Sequence, residues 1–276
     1  MPELPEVQTV VDHLAGAGLV GRRISAAKVY WAKTIALSSA REFCRQIRGR
    51  TVLAINRRAK YIVFVLDHDQ YLLIHLRMTG RLQLTSSAGR RTKHVRVILE
   101  LDDGRRLMFQ DTRKFGRLFL TPTPEMIMGR LGPEPLAAAF SARFLARQLG
   151  RRRRQIKPLL IDQSFLAGLG NIYVDEALWA ASIHPQRRAN TLNWSEIKAL
   201  HRSIRRVLRQ GIRNSGTSLG SGRGNFVTPD KKGGGNQWRL KVFQQTGSPC
   251  PRCGQAIQRI IVAQRGSHVC GQCQQV

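Results

Sequence analysis

Four cysteines near the C-terminus constrain the fold of this chain more than any other feature of its sequence. They form two C-x-x-C pairs, Cys250 with Cys253 and Cys270 with Cys273, and sixteen residues separate the pairs. Each pair can present two thiolates from one tight turn, and two such turns can close a tetrahedral site with four sulfur ligands. Because four protein ligands leave no position for water, the spacing predicts one structural Zn²⁺ that holds a short β-hairpin. Disulfides are the alternative, although nothing in the sequence indicates secretion.

The N-terminus offers a possible nucleophile. Met1 is followed by Pro2 and Glu3, so removal of Met1 would leave a secondary amine beside a carboxylate. A secondary amine that attacks a carbonyl carbon gives a cationic iminium directly, and an α-amino group with a pKa of about 7.7–8.0 is partly neutral near pH 7. The alternative is structural, because proline is favoured at a helix start, where its fixed φ fits and no N–H is needed.

The charge of the chain indicates its partner. With 46 Lys and Arg against 17 Asp and Glu, the formal net charge is +29, and such a surface attracts a polyanion, nucleic acid above all. A membrane surface is the competitor, but no apolar run reaches the roughly 18 residues of a spanning helix, and no signal peptide is evident. We therefore expect a soluble, intracellular protein. Basic ribosomal and chromatin proteins share this charge, so charge alone does not indicate an enzyme.

Hydrophobic periodicity predicts a helix followed by a β-rich region. Apolar residues between Leu4 and Leu14 recur at helical spacing, and Gly16 follows them. Residues 20–120 then alternate apolar and polar positions between turns, which predicts a sandwich of antiparallel strands. Its clearest strands are 61–66, 71–76 and 95–101.

Proline marks the boundary with a helical region. The stretches 121–124 and 131–135 are rich in proline, which cannot continue a helix or a central strand, and beyond them the apolar period becomes helical. The predicted domains are a β-sandwich at 2–122, a linker at 123–139, a helical domain at 140–236 and a zinc finger at 237–276.

The last predicted helix is strongly basic. Asn193 and Glu196 are spaced as a capping box. One face is apolar, with Ile197, Leu200, Ile204, Val207 and Leu208. The other carries Arg202, Arg205, Arg206, Arg209 and Arg213. These cations lie without interleaved acids, so they either form a solvated face or bind phosphate. The Gly- and Ser-rich stretch Gly211–Asn236 predicts a mobile loop, either functional or a tether to the zinc module.

Three further segments suit the handling of DNA. Gly168 and Gly170 allow a tight turn that brings backbone N–H groups and the Asn171 amide to a helix start, which is an anion site or a plain helix cap. After a strand, Arg113 and Phe115 fall on the same side of an extended loop. An enzyme that extrudes a nucleotide leaves an empty space, which an apolar wedge and a guanidinium can fill. Met78 could add a further filler, or it belongs to the core. The third segment, the charge run Arg151 to Arg154 followed by Lys157, either tracks a backbone or is solvated.

Together these segments resemble the formamidopyrimidine-DNA glycosylase family. The resemblance extends from residue 2 to residue 273, and its order and spacing are more specific than any single motif. The endonuclease VIII relatives typically have glycine where this chain has Leu4, so the match favours the branch that acts on oxidised purines. The matching segments are Pro2-Glu3-Leu4-Pro5-Glu6-Val7, Lys60-Tyr61, His75-Leu76-x-Met78-x-Gly80, Asp111-x-Arg113-x-Phe115-Gly116, Gly168-x-Gly170-Asn171-Ile172-Tyr173 and the two cysteine pairs.

The resemblance implies an α+β multidomain fold: an N-terminal antiparallel β-sandwich and a C-terminal helix-two-turn-helix domain with a zinc-finger β-hairpin. It implies a bifunctional DNA glycosylase and AP lyase of base excision repair. Such an enzyme excises 8-oxoguanine and formamidopyrimidines through an N-terminal proline iminium and cuts the strand by β,δ-elimination. The implied partner is double-stranded DNA with oxidised bases or abasic sites, and the implied state is a monomer in the bacterial cytoplasm.

The resemblance also assigns residues. Pro2, Glu3 and Lys60 are the implied catalytic residues, and Glu6 and Ser218 are placed at the lesion pocket. The implied DNA contacts are His75, Met78, His94, Arg113, Phe115, Lys157, Asn171 and Arg265. The chain departs from the family pattern in three places: Arg77 where glycine is common, Thr112 where proline is frequent, and the loop sequence at 218–226.

Other functions stay open at this point. An endonuclease VIII-like glycosylase for oxidised pyrimidines would share the same chemistry. A non-catalytic zinc protein that binds DNA or the ribosome would explain the charge and the cysteines, but it would not need Pro2 and Glu3 at the terminus. A metal-dependent nuclease would need open carboxylate or histidine ligands, and the sequence shows no such cluster.

Overall fold

The computed structural model describes residues 1–86, 92–220 and 226–276. The chain divides into two compact units. The first contains Met1–Arg130 with Ile212–Gln237, and the second contains Leu131–Gly211 with Trp238–Val276. Among the described helices, none combines the length and apolarity needed to cross a membrane.

The first unit is built mainly of strands. The predicted opening helix forms and buries its apolar residues, and the three predicted strands form with shifts of no more than one residue. Its helices and strands are α1 (Leu4–Gly16), β1 (Ile24–Val29), β2 (Ile35–Ala36), α2 (Ala40–Ile47), β3 (Val52–Arg58), β4 (Tyr61–Leu66), β5 (Gln70–His75), β6 (Gly80–Thr85), β7 (Val95–Leu101), β8 (Arg106–Asp111), β9 (Arg117–Thr121) and α3 (Glu125–Met128).

Two sheets enclose one apolar core. One sheet has the order β1-β7-β8-β6 and the other β2-β9-β5-β4-β3; paired strands are antiparallel except β2 with β9, which are parallel. Side chains of alternate positions from both sheets, such as Phe64 and Phe109, share that core with Phe43 of α2 and the apolar face of α1. The predicted β-sandwich is therefore confirmed, and α1 packs on β3 and β4.

The second unit is helical and ends in a hairpin. Ser141 and Asn193 cap two of its helices, and the predicted capping box is present: Glu196 N–H donates to Asn193 Oδ1 at 3.0 Å, and Asn193 N–H donates to Glu196 Oε2 at 2.8 Å. The elements are α4 (Ala142–Gly150), α5 (Ile156–Ile161), α6 (Asn171–Ala180), α7 (Trp194–Arg213), β10 (Gln258–Val262) and β11 (Arg265–Val269). Strands β10 and β11 pair in antiparallel register, which confirms the hairpin between the cysteine pairs.

The segment after α7 is more ordered in its contacts than its composition suggests. Of the expected loop, residues 221–225 lie outside the described part, whereas the flanking residues make specific hydrogen bonds. Gly235 N–H donates to Asn214 O at 2.8 Å, and Ser218 Oγ donates to Phe226 O at 2.6 Å. The Phe226 ring packs against the core of the first unit. Backbone and hydroxyl hydrogen bonds therefore help to hold this segment, which has few apolar residues.

Candidate active site and nucleic-acid interface

The N-terminal carboxylates are fixed by the first turn of α1. Pro2 is buried, and Glu3 is the residue that caps the helix. Glu6 closes a capping box: its Oε2 accepts the Glu3 N–H at 2.8 Å, while its Oε1 accepts the Thr217 N–H at 2.7 Å. One buried carboxylate thus holds both the chain start and the segment after α7. Ser218, predicted at the lesion pocket, is the next residue, and its Oγ accepts the Gly234 N–H at 2.8 Å.

A cavity of about 400 Å³ lies beside this terminus in the first unit. Met1, Met78 and Phe115 line it and are 46%, 42% and 47% exposed. Arg77 and Arg117 complete the lining. Two of the three residues predicted to fill an emptied nucleotide position therefore surround one cavity with the N-terminal methionine. Exposed apolar side chains ringed by arginines suit contact with stacked bases and their phosphates.

A buried carboxylate shapes the loops that carry these side chains. Asp111 is 1% exposed, and its Oδ1 accepts the Thr79 hydroxyl at 2.5 Å. It also accepts the Arg113 N–H at 3.1 Å through Oδ1 and the Gly116 N–H at 2.7 Å through Oδ2. The Arg113 guanidinium lies 4.8 Å from the centre of the Phe115 ring, so the two side chains are on the same side, as predicted.

Lys60 and His75 meet at the end of neighbouring strands. The β3–β4 turn places Ala59 at φ +52° and Lys60 directly after it, where Lys60 is 4% exposed. Tyr61 pairs with His75 across β4 and β5, and the two rings meet edge to face at 4.7 Å. Lys60 is close enough to His75 for its positive charge to lower the pKa of the imidazole.

His75 is held neutral. Burial, together with the cations Arg77 and Lys60, lowers the pKa of His75 to about 3. Its Nδ1 lies 3.1 Å from the Arg77 backbone N–H, which donates to it. The proton of the neutral ring therefore sits on Nε2, which makes His75 a hydrogen-bond donor near neutral pH. His94, the other histidine predicted at the DNA, is half-buried, and its carbonyl accepts the Asp111 N–H at 3.0 Å.

In the second unit, a buried ion pair joins the helices to the hairpin. Lys157 Nζ donates to Asp175 Oδ1 at 2.5 Å and to Gly266 O at 3.0 Å, and its side chain is fully buried. Asp175 Oδ2 accepts the His268 N–H at 2.9 Å. Asn171, the first residue of α6, donates its amide to the same Gly266 carbonyl at 2.9 Å. A direct contact of Lys157 with DNA stays a prediction; in this structure its ammonium donates to Asp175 and to the Gly266 carbonyl.

The exposed end of that hairpin carries Arg265 at the start of β11. Since Gly266 is fixed by two donors, Arg265 is presented from a braced backbone beside the N-terminus of α6. Helix N-termini and guanidinium groups both favour phosphate oxygens.

The four C-terminal cysteines converge as predicted. Their Sγ atoms all lie within 4.8 Å of one another, with Cys250 to Cys273 at 4.0 Å and Cys253 to Cys270 at 3.4 Å. A tetrahedral Zn²⁺ with Zn–S bonds of about 2.3 Å separates its sulfurs by roughly 3.8 Å, so the residues fit this ion. Trp179 Nε1–H donates to Cys250 Sγ at 3.4 Å, as is common for an outer partner of a metal ligand. With four thiolates, the site is structural.

Sequence reasoning gave no role to three of the groups that hold these sites. Thr79 is a variable position within its motif, and no motif assigns a role to the adjacent acids Asp175 and Glu176. Glu176 is 5% exposed, burial raises its pKa, and it accepts backbone N–H groups of Lys241, Val242 and Phe243 at 2.9–3.0 Å. Two acids in an otherwise apolar helix were the available signal, since buried carboxylates need donors.

Comparison with known proteins agrees with this arrangement. Three family models match successive parts of the chain: the formamidopyrimidine-DNA glycosylase N-terminal domain at residues 1–118, the formamidopyrimidine-DNA glycosylase H2TH domain at 131–221, and the zinc finger found in FPG and IleRS at 247–276. The predicted fold class, with its helix-two-turn-helix region and zinc hairpin, is thereby confirmed.

Relatives match over the whole length. The formamidopyrimidine-DNA glycosylase of Protochlamydia amoebophila (strain UWE25) is 46% identical over 274 residues, 99% of each chain. That of Herpetosiphon aurantiacus is 44% identical over 277 residues, 99% of this chain and 100% of the relative. A structure of a Lactococcus lactis Fpg variant with DNA containing Fapy-dG has a TM-score of 0.92 and 36% identity, with 100% of both chains covered. The Lactococcus lactis Fpg complex with abasic-site DNA has a TM-score of 0.90 and 36% identity, covering 99% and 100%. The chain therefore belongs to the formamidopyrimidine-DNA glycosylase family.

Proposed function

We propose that this protein is a bifunctional DNA glycosylase and AP lyase of base excision repair, which removes oxidised purines from double-stranded DNA. The observation that carries the proposal is the cavity beside the N-terminus, where Met1, Met78 and Phe115 come together. The Lactococcus lactis relatives are bound to DNA that contains a formamidopyrimidine or an abasic site, which supports this substrate class.

Pro2 is the proposed nucleophile. Met1 lines the cavity and is bonded to the Pro2 nitrogen, so its removal opens that nitrogen to the cavity. The amine attacks C1′ of the damaged nucleotide, and the C1′–N bond to the base breaks with its electron pair leaving on the base, which takes up a proton. The attacking nitrogen supplies that proton, and its lone pair then forms the iminium as the C1′–O4′ bond breaks and O4′ takes up a proton.

Glu3 is the proposed acid and base. Its carboxyl group donates a proton to O4′ as the sugar opens and moves protons in the later steps. The cationic iminium acidifies C2′–H, so loss of that proton expels the 3′ phosphate, and a second elimination expels the 5′ phosphate. Water then hydrolyses the remaining iminium and releases Pro2. Lyase activity is thus a consequence of the amine nucleophile.

The cavity-lining loops fill the space of the extruded nucleotide. Met78 and Phe115 are apolar and exposed, and Arg113 lies against Phe115 with a guanidinium free to turn toward the unpaired base. We assign Arg113 to the cytosine opposite the lesion. Glu6 contacts both the N-terminal residue Glu3 and Thr217, and Ser218 follows Thr217 in the chain. We place the lesion pocket beside these residues.

Phosphate binding is assigned to groups in both units. In the first unit these are Lys60, the neutral His75 through its Nε2–H, and His94. In the second unit they are Asn171 and Arg265, with Lys157 bracing the hairpin that carries Arg265. Zn²⁺, held by the four cysteines, supplies folding free energy to that hairpin and takes no part in the reaction. We further propose that the protein acts as a monomer in the bacterial cytoplasm.

A borohydride trapping experiment with mass spectrometry tests the proposal. The purified protein is reduced in the presence of a duplex with 8-oxoguanine opposite cytosine, and the adduct is mapped. We expect loss of Met1 and a covalent link at residue 2. The matched variants are Pro2→Gly, whose primary amine gives an imine and should excise the base far more slowly, and a chain with a retained N-terminal extension, which should lose the adduct. Strand cleavage without a reducible link, or full activity in either variant, contradicts the mechanism.

A further inference from the structure

The exposed face of α7 carries a row of cations that the proposed reaction does not use. Arg202, Arg206 and Arg209 lie within roughly 60° of one another around the helix axis, because successive residues turn by about 100°. Lys198 extends the row by one turn, which gives a length of roughly 16 Å at 1.5 Å per residue. All four side chains are exposed. We call Lys198, Arg202, Arg206 and Arg209 the α7 basic ridge.

Within the described ranges, no acid pairs with any member of the ridge. Glu196, the one acid of α7, accepts hydrogen bonds from Arg187 at 2.9 Å and from the Asn193 backbone at 2.8 Å. Arg205 beside the ridge has a structural task, since it donates to the carbonyls of Pro135 and Ala137. Like charges spaced at i,i+4 destabilise a helix, so the ridge lowers stability unless an anion neutralises it.

The ridge faces away from the phosphate contacts proposed for the second unit. The buried face of α7, with Ile204 at its centre, points to the interior. A Cβ at Gly211 would lie 2.6 Å from the Tyr173 ring, which places this face against α6. Asn171 begins α6, so the ridge and Asn171 lie on opposite sides of α7.

We propose that the α7 basic ridge binds the phosphate backbone of a second duplex, separate from the one that carries the lesion. One DNA strand rises about 3.4 Å per phosphate, so the ridge spans roughly five phosphates, and its regular spacing suits a repeating anion. The contact is independent of base sequence. The protein can then hold one segment of DNA while it examines another.

The test uses the full-length protein saturated with a duplex that contains tetrahydrofuran, a stable abasic analogue. A second, undamaged duplex with a different fluorophore is then added, and its anisotropy is followed from 50 to 200 mM salt. The ridge variant is R202Q/R206Q/R209Q. The control is R41Q/R45Q/R48Q, which removes three exposed arginines and the same net charge from the region of α2.

We expect the ridge variant to lose at least tenfold in affinity for the second duplex at low salt, and its salt slope to fall by about 2 to 3. The control should bind the second duplex as the unmodified protein does. Binding of the first duplex and single-turnover excision should be unchanged in both variants. The excision readout reports the proposed function separately, because a protein that binds the tetrahydrofuran duplex without excising a base still allows the second-duplex measurement.

Three outcomes overturn the proposal. The ridge variant and the control could lose affinity equally, which would make the effect one of net charge alone. The saturated protein could fail to bind a second duplex. Finally, polyglutamate at equal charge could displace the second duplex as effectively as unlabelled DNA, which would identify the ridge as a surface for acidic protein segments.

Discussion

The hydroxyl of Thr79 donates to the buried carboxylate of Asp111 and also accepts the backbone N–H of Arg113 at 3.1 Å. Thr79 follows the apolar side chain of Met78, and Asp111 precedes the loop that carries Arg113 and Phe115. Thr79 and Asp111 therefore tie two loops, 32 residues apart in the chain, into one unit. Three side chains proposed to enter DNA together are thus positioned together.

The first prediction concerns this contact. Asp111→Asn replaces one of the two acceptor oxygens with an NH₂ group. The oxygen that remains cannot accept both the Thr79 hydroxyl and the Gly116 N–H in their present positions. Since a displacement of 1 Å can cost about 10²-fold in rate, we expect excision of 8-oxoguanine to fall by about 10 to 10²-fold. Cleavage of a preformed abasic site should fall much less, because no base has to be expelled. Single-turnover rates on the two substrates measure the difference.

Thr79→Val completes a double-mutant cycle with Asp111→Asn. Loss of one hydrogen bond to a charged group costs about 1.5–3 kcal/mol, and the two substitutions should be strongly non-additive. Thr85→Val on β6 is the matched control. Additive effects of Thr79→Val and Asp111→Asn on excision would show that the two loops are positioned independently.

A second prediction concerns the buried pair Lys157 and Asp175. Lys157→Met removes the ammonium and leaves a carboxylate at 1% side-chain exposure without its cation, which should cost about 3–5 kcal/mol of unfolding free energy. The double variant Lys157→Met with Asp175→Leu should be less destabilised than Lys157→Met alone, because no buried charge is left unpaired. Urea unfolding of the three chains measures this order.

If Lys157 instead serves mainly as a direct phosphate contact, Lys157→Met will unfold at nearly the same urea concentration as the unmodified protein and will lose DNA affinity alone. The comparison therefore separates a bracing role from a direct one. Arg265 offers the reference, since it is exposed and Arg265→Gln should weaken DNA binding with little change in stability.

Local patterns explain which parts of the structure the sequence could predict. Helix α1, the Asn193 and Glu196 capping box and the cysteine hairpin depend on periodicity or on residues a few positions apart, and all of them form as expected. Tetrahedral ligation also follows from spacing alone. The family resemblance supplied positions, such as Lys60, that no local pattern would single out.

Long-range contacts explain what the sequence could not predict. Lys157 and Asp175 are separated by 18 residues, and nothing in either neighbourhood indicates that one neutralises the other. Thr79 gave no signal, because a threonine in a turn before a strand is common. The packing of Phe226 on the core could not be predicted for the same reason, because one aromatic residue in a polar stretch forms no apolar pattern.

A third prediction concerns pH. The pKa of His75 is lowered to about 3 by burial and by Arg77 and Lys60, against about 6.5 in an unfolded chain. Between these values the unfolded chain binds a proton that the folded chain does not. The stability contributed by neutral His75 is therefore complete above pH 6.5 and is lost as the pH falls toward 3, by about 1.4 kcal/mol for each unit.

His75→Asn tests this dependence, because its Oδ1 can still accept the Arg77 N–H. We expect the variant to lose less stability than the unmodified protein between pH 6.5 and 4, as measured by thermal unfolding across that range. His184, whose pKa is also lowered by burial, is unchanged in both chains and cancels in the comparison. Parallel pH profiles would show that His75 is protonated in the folded protein.

The last prediction concerns the metal. Zn²⁺ bound by the four thiolates holds β10 and β11 together, and β11 carries both Arg265 and the Gly266 carbonyl that Asn171 and Lys157 contact. Removal of the metal by a chelator should therefore lower the affinity for a lesion duplex. Addition of Zn²⁺ should restore that affinity, since the ion takes no part in the chemistry. Trp179 reports the event directly, because its indole N–H donates to Cys250 Sγ and its fluorescence should change when the thiolate loses its ion. Trp179→Phe should abolish that fluorescence change while the loss of DNA affinity persists. Chelation that leaves DNA affinity intact while the metal is shown to be gone would mean that the buried contacts of Lys157 and Asp175 hold the hairpin without help from the ion.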